Sequence, residues 1–250
     1  MRINIVLTHE QITPQVIKDK ICVVIDTLRA TSTIITALNG GCTEVIPVPS
    51  SAAAFALRSN PVYRDYILGG EIEGQYIENF HKANSPLEYS NGWTKGRGLI
   101  LTTINGTRTL TKVKAGSLVL VCALLNAKVV GHYLTGREQD LLICCAGRRG
   151  NFSLEDFLTA GRLIGDLEKQ NRDFEPTDLA YAASCFYRYI RKRNPGENGL
   201  AELLKNTANG RRLAKAGLEA DVIYCAQEDM VPVVPVYKDG AIKLAENEYN

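Results

Sequence analysis

The sequence predicts an α/β fold: largely parallel or mixed sheets covered by helices, in two similar lobes. Three observations carry this. Short β-branched runs alternate with longer stretches of helical spacing, the pattern of strand–helix–strand units. The strand runs are continuously apolar rather than alternating, as in strands buried on both faces. Finally, V-V-I-D-T-L-R-A-T-S-T (23–33) and L-L-I-C-C-A-G-R-R-G-N (141–151) each place arginine just after a buried run, a weak similarity between the two halves.

The elements follow in order. Runs 3–7 (I-N-I-V-L) and 21–25 (I-C-V-V-I) are strands, the second ending at Asp26, and a helix is expected over 30–38. Strand 44–48, helix 52–58 and strands 66–68 and 98–101 come next. The polar, turn-rich stretch 79–97 between the last two reads as a long loop, a kind often functional in compact domains. Helix 107–113 leads to strand 118–121, the start of an apolar run that stops at Asn126. Helix 126–133, strand 140–144 and helix 154–169 follow. On that helix Leu154, Phe157, Leu158, Gly161, Leu163, Ile164 and Leu167 trace one face, and Ser153 with Asp156 reads as a capping-box variant. Helix 177–191 is stopped by Asn194-Pro195-Gly196. Helix 200–204 and strands 221–224 and 231–237 complete the pattern. The whole chain, 1–250, reads as one compact unit whose lobes divide roughly into 1–115 and 116–250.

Composition narrows the function. The chain of 250 residues is 45% hydrophobic and 22% charged with a net charge of +2. It is too apolar for a disordered chain and offers no electrostatic case for nucleic acid. No apolar run approaches the ~18 residues that span a bilayer, and the N-terminus lacks a signal-peptide pattern. A cytoplasmic protein without a membrane partner is expected; a homo-oligomer stays open. Seven cysteines, mostly in apolar runs and with no C-x-x-C, fit reduced, buried thiols and disfavour a thiolate zinc site.

Three loops carry anion-binding chemistry. In I-D-T-L-R-A-T-S-T (25–33), Asp26 ends a buried strand and Arg29, Thr31, Ser32 and Thr33 follow where a helix begins. Strand carboxyl ends face the usual ligand crevice. Helix N-termini there suit phosphate, arginine adds a planar donor, and Asp26 can hold a divalent metal. The plainer reading is a helix cap, with the hydroxyls on the backbone and Arg29 at the surface. In T-T-I-N-G-T-R-T (102–109) the hydroxyl-plus-arginine chemistry recurs around Asn105, Gly106, Thr107 and Arg108; the plainer reading is an ordinary Asn-Gly turn. In C-C-A-G-R-R-G-N-F-S (144–153) glycines flank Arg148 and Arg149 ahead of Asn151 and Ser153; two adjacent arginines before a helix suit an acidic substrate, and the plainer reading is a flexible surface turn. Glu155 and Asp156 are explicable there as compensating the helix dipole. Glu71, in G-G-E-I-E-G, is a metal-ligand or acid–base candidate; Glu73 and the acidic pair Glu228-Asp229 are assigned to exposed loops.

Familiar motifs are missing. There is no G-x-x-x-x-G-K-[ST] and no G-x-S-x-G, which argues against P-loop hydrolases and α/β-hydrolases. Neither Cys144 nor Cys145 has an arginine six residues on, as a cysteine phosphatase needs. Leu28 stands where a haloacid-dehalogenase phosphatase carries its second aspartate. The three histidines, His9, His81 and His132, are scattered and read as structural.

The sequence resembles the 2-phosphosulfolactate phosphatase family. The matching residues are Val23–Thr33, Gly69–Glu71 (G-G-E), Asn84–Tyr89 (N-S-P-L-E-Y), Thr102–Arg108 (T-T-I-N-G-T-R) and Cys145–Asp156 (C-A-G-R-R-G-N-F-S-L-E-D). They keep the family's order across the first two-thirds of the chain. Departures are Ile72, where a basic residue is common, and His81 and Ala83, where an acidic residue and a glycine are usual. The resemblance implies an α/β fold with two similar lobes. It implies a Mg²⁺-dependent phosphatase releasing 3-sulfolactate and phosphate from 2-phospho-3-sulfolactate, a step of coenzyme M biosynthesis.

On that basis Asp26 and Glu71 hold Mg²⁺, and Asp26, Arg29 and Glu71 carry the chemistry. Thr31 and Asn105–Arg108 bind the phosphoryl oxygens; Arg148 and Arg149, with Asn151 beside them, take the sulfonate and carboxylate. Whether Asp26 is nucleophile or metal ligand stays open. Two alternatives remain: a phosphatase or phospholyase acting on another small phosphorylated acid, and a non-catalytic anion-binding protein.

Overall fold

The computed structural model describes residues 1–170, 174–196 and 198–246. β1 (Arg2–Val6) leads through a short α1 (Pro14–Ile17) to β2 (Ile21–Ile25), α2 (Ala30–Asn39), β3 (Val45–Val48), α3 (Ser51–Ser59), β4 (Ile67–Gly70), β5 (Leu99–Thr102) and α4 (Gly106–Val113). The chain continues through β6 (Leu118–Cys122), α5 (Ala127–Tyr133), β7 (Leu141–Cys145), α6 (Leu154–Lys169), β8 (Glu175–Pro176) and α7 (Asp178–Arg193). Then come α8 (Gly199–Lys205), α9 (Ala208–Lys215), α10 (Glu219–Cys225), β9 (Pro235–Lys238) and β10 (Ala241–Leu244).

The strands form a single ten-stranded mixed sheet in the order β4-β5-β3-β10-β9-β6-β2-β7-β1-β8. Two parallel groups, β4-β5-β3 and β6-β2-β7-β1-β8, are joined by the antiparallel β9–β10 hairpin. Its outer bonds are few: Ile242 opposite Val45 on one side, Val119 opposite Tyr237 and Leu120 opposite Val236 on the other. The parallel groups do not divide at residue 115. β1 and β2, from the first half, pair with β6 and β7 from the second.

The continuous apolar runs are strands because both faces are buried. On β2, Cys22 and Val24 enter a core with α2 and α4, while Ile21, Val23 and Ile25 enter another with α5, α6 and α7. A third cluster packs α8, α9 and α10 on Leu28, Leu124 and Leu158. A fourth covers β4 and β5 with α3. Among the described residues no helix is long and apolar enough to cross a membrane.

Three expectations are corrected. Residues 221–224 lie in helix α10, not a strand: Val222 and Cys225, one turn apart, both enter the cluster with Leu204 and Leu213. Of run 231–237 only Pro235 onward is strand: Pro232 has no ladder donor, and the Val231 N–H donates instead to the Leu125 carbonyl at 2.9 Å. Glu228 and Asp229 are not surface charges; both pair with the buried Arg162, at 3.3 and 2.6 Å.

Candidate active site

β2 delivers Asp26 at its carboxyl end, and the following turn is locked by reciprocal bonds. The Asp26 N–H donates to Thr31 Oγ1 at 3.1 Å, and the Thr31 N–H donates to the Asp26 carbonyl at 3.0 Å. Ser32 Oγ donates to the Thr27 carbonyl at 2.8 Å. The Thr31 and Ser32 hydroxyls therefore serve the backbone, while Thr33 Oγ1 is buried without a partner; Thr31 is buried and does not line the cleft. Arg29 does line the cleft; it is 4% exposed and ion-paired with Asp221 on α10. The other Asp221 oxygen accepts from Ser85 Oγ at 2.6 Å.

α4 abuts this turn through Gly106, where a Cβ would stand 2.9 Å from Asp26 Oδ2 and clash with Ala30. Thr107 is buried and its N–H donates to Thr103 Oγ1 at 3.1 Å, closing the strand-to-helix turn. Asn105 lines the cleft with its Oδ1 buried and lacking a partner. Arg108 departs from expectation. Thr107, Leu110 and Val113 occupy the inward face of α4, which turns Arg108 to solvent and away from the cleft.

Glu71 follows β4 into the cleft. Its carboxylate accepts from the Gly74 N–H and, at 3.4 Å, from the Ile104 N–H, tying the two loops together.

After β7, Arg148 and Asn151 exchange backbone bonds at 2.9 Å, a tight turn that sends Arg148 and Arg149 to the cleft wall. Asn151 is exposed and donates to the Arg149 carbonyl at 3.0 Å, a turn-holding role outside the cleft lining. Arg149 pairs with Glu73 at 3.2 Å, both side chains mostly exposed. Ser153 caps α6 through the Asp156 N–H, as its spacing predicts. The Asp156 carboxylate does more than compensate a dipole. It accepts from the Thr27 N–H at 2.9 Å and the Gly147 N–H at 3.2 Å, and so clamps the first loop to the third.

The structure thus brings Asp26, Arg29, Glu71, Asn105, Arg148 and Arg149 into one cleft at the carboxyl ends of parallel strands. It adds residues that sequence reading did not assign there: Asn84, Glu155, Asp156, Asn209 and Arg212. The quoted N-S-P motif held a signal for Asn84. None of the three histidines lines the cleft; His9 and His81 hydrogen-bond backbone at 3.1 and 2.8 Å.

Charge in the cleft is crowded in both signs. Burial pushes the Asp26 carboxyl up to about 7, with Glu71 and Glu155 adding to the shift and the Ala30 N–H and Arg29 opposing it. Burial, then the charges of Asp26 and Glu155, raise Asp156 well above the carboxylate range. The Arg212 guanidinium is lowered by burial and by Arg148.

Among the described residues, no three His, Cys, Asp or Glu side chains are grouped closely enough to hold a metal ion. Mg²⁺ does not require that. It is ordinarily held by one or two carboxylates, with substrate phosphate and water supplying the rest. Asp26 and Glu71 are hard oxygen donors lining one cleft. Asp26 resists ionisation among other carboxylates, a strain that a divalent cation relieves. The residues fit the ion.

A family model described as 2-phosphosulpholactate phosphatase matches residues 6–240. A Clostridium tetani protein named probable 2-phosphosulfolactate phosphatase is 39% identical over 243 residues, covering 97% of this chain and 100% of its own. Proteins of the same name from Caldanaerobacter subterraneus and Symbiobacterium thermophilum are 40% and 38% identical. They cover 96% and 91% of this chain, and 97% and 95% of their own lengths.

Proposed function

Because the chain belongs to the 2-phosphosulfolactate phosphatase family, we propose that it hydrolyses 2-phospho-3-sulfolactate to 3-sulfolactate and phosphate. The reaction is Mg²⁺-dependent and serves coenzyme M biosynthesis. The observation that carries this reading is one cleft holding buried Asp26 with Glu71, Glu155 and Asp156 on one hand and Arg29, Arg148 and Arg212 on the other. A polyanion and the cation that accompanies it both find partners there. A mere anion-binding protein gains nothing from carboxylates beside its ligand. Seven unpaired cysteines, six of them buried, support a cytoplasmic location.

Asp26 and Glu71 would hold Mg²⁺, which when bound neutralises phosphoryl charge and lowers the pKa of bound water. The remaining work belongs to the chain. Arg29, immobilised by Asp221, presents a fixed positive charge to the phosphoryl oxygens, where preorganised charge stabilises the transition state without reorganising. Arg148 binds the acidic end of the substrate. Asp156 keeps the first and third loops in register, so that the two ends of the molecule are held at a fixed separation. The test is phosphate release from 2-phosphosulfolactate with Mg²⁺ and with EDTA. Release with Mg²⁺ alone supports the reading; none in either condition, with release from another phosphorylated acid, replaces the substrate.

A further inference from the structure

Four arginines line the cleft: Arg29, Arg148, Arg149 and Arg212. Two have carboxylate partners, Arg29 with Asp221 and Arg149 with Glu73. Among the described residues, neither Arg148 nor Arg212 forms an ion pair. Arg212 is nevertheless fixed. Its Nε and Nη2 donate to Asn209 Oδ1 at 3.1 and 2.9 Å. The buried Asn209 in turn donates through Nδ2 to the Leu28 carbonyl at 2.6 Å, next to Arg29. Nη1 lies against Gly74, where φ is +84° and a Cβ would overlap the guanidinium. The carboxylate that attracts Arg212 is Glu71, which is not ion-paired with it and already accepts from the Gly74 and Ile104 amides. A side chain so held on both sides, beside other guanidiniums, has donors left for an anion.

We infer that Arg212, delivered by α9, holds the sulfonate of the substrate together with Arg148, and that Asn209 is its positioning residue. This rests on the phosphatase reading above. A planar guanidinium gives a sulfonate two parallel donors. Lysine cannot keep the Asn209 bonds and reach the anion with the same geometry. Arg149 gives up the recognition role its sequence position suggested, being mostly exposed and paired with Glu73. The C-terminal helices thereby become the part of the chain that reads the substrate's acidic tail.

The experiment compares 2-phosphosulfolactate with 2-phospholactate, which keeps the phosphoryl and carboxylate groups and lacks the sulfonate. Losing a charge-assisted bond should make Arg212→Ala raise KM for the sulfonated ester about 10- to 100-fold while kcat falls far less. On 2-phospholactate the rise should be at least about tenfold smaller. Asn209→Ala and Gly74→Ala should move KM the same way, and Arg212→Lys should recover part of the loss. Equal kcat losses on both esters would put Arg212 at the phosphoryl end and overturn the assignment. Titration calorimetry with 3-sulfolactate separates this from the parent reading. Binding by the wild type that Arg212→Ala abolishes sustains the assignment even if no ester is hydrolysed; equal binding by both proteins sinks it.

Discussion

Arg29 and Asp221 are 192 residues apart in sequence and form an ion pair whose side chains are 3% and 2% exposed. The pair pins α10 beneath the turn that follows β2. Ser85 holds the other Asp221 oxygen, so the loop after β4 joins the same knot. Removing one partner of a buried pair strands the other charge, at a cost of about 3–5 kcal/mol. Asp221→Ala should lower the urea midpoint accordingly and depress kcat through a loosened Arg29. Wild-type midpoint and turnover together would mean that the pair organises nothing.

The raised carboxyl of Asp26 makes stability depend on pH in an unusual direction. Its folded pKa, about 7, lies above its unfolded value of 3.8. The folded state therefore binds more protons between about pH 4 and 7. This contribution is full below that window and is lost as pH rises through it. Metal-free protein should melt lower at pH 8 than at pH 5, and Asp26→Asn should flatten the difference and raise the melting temperature at pH 8. Asp156, shifted the same way, adds to the slope. An unchanged slope in Asp26→Asn would place the titration elsewhere.

Arg29 and Arg108 resemble each other in sequence, each following strand-end hydroxyls, yet one is buried at the cleft and the other faces solvent. Arg29→Ala should reduce kcat by about two orders of magnitude. The loss in Arg108→Ala should be at least about tenfold smaller, measured by steady-state phosphate release. Comparable losses would return Arg108 to the phosphoryl site.

Chelation tests the carboxylates. EDTA should abolish turnover and Mg²⁺ restore it. Glu71→Gln should raise the half-saturating Mg²⁺ concentration by about tenfold or more. If the Mg²⁺ requirement is unaltered in Glu71→Gln, Glu71 serves only to bridge the Gly74 and Ile104 amides.

The parallel strands β1 to β7 were readable because each is a short, largely apolar run, and the helix over Leu154–Lys169 because one face and one cap agree; the two-residue parallel strand β8, Glu175–Pro176, has no such run and went unread. D-V-I-Y at 221–224 misleads because β-branched composition imitates a strand; the helical spacing of Val222 and Cys225 shows only once the partner helices are in place. Asp26, Glu71 and Arg148 stand out in sequence as chemistry at strand ends. Asn209, Arg212 and Asp221 do not, because their meaning lies in reaching back to Leu28, Gly74 and Arg29. Thr31 and Thr107 differ from expectation for the converse reason: the Thr31 hydroxyl accepts from the Asp26 N–H and the Thr107 hydroxyl donates to the Thr103 carbonyl, both taken up by the turns that shape the site.

The β9–β10 hairpin sits in the middle of the sheet, yet synthesis delivers it after every other described strand. A nascent chain can assemble β1, β2, β6 and β7 as they leave the ribosome, and β3, β4 and β5 separately, but has no ribbon to tie them edge to edge. Until residue 242 arrives to meet Val45, both groups present an open strand edge, the feature that invites pairing with a neighbouring molecule. Translation is thus the interval in which this protein is most exposed to misassembly, and early termination after α10 would leave two sticky half-sheets in place of an enzyme.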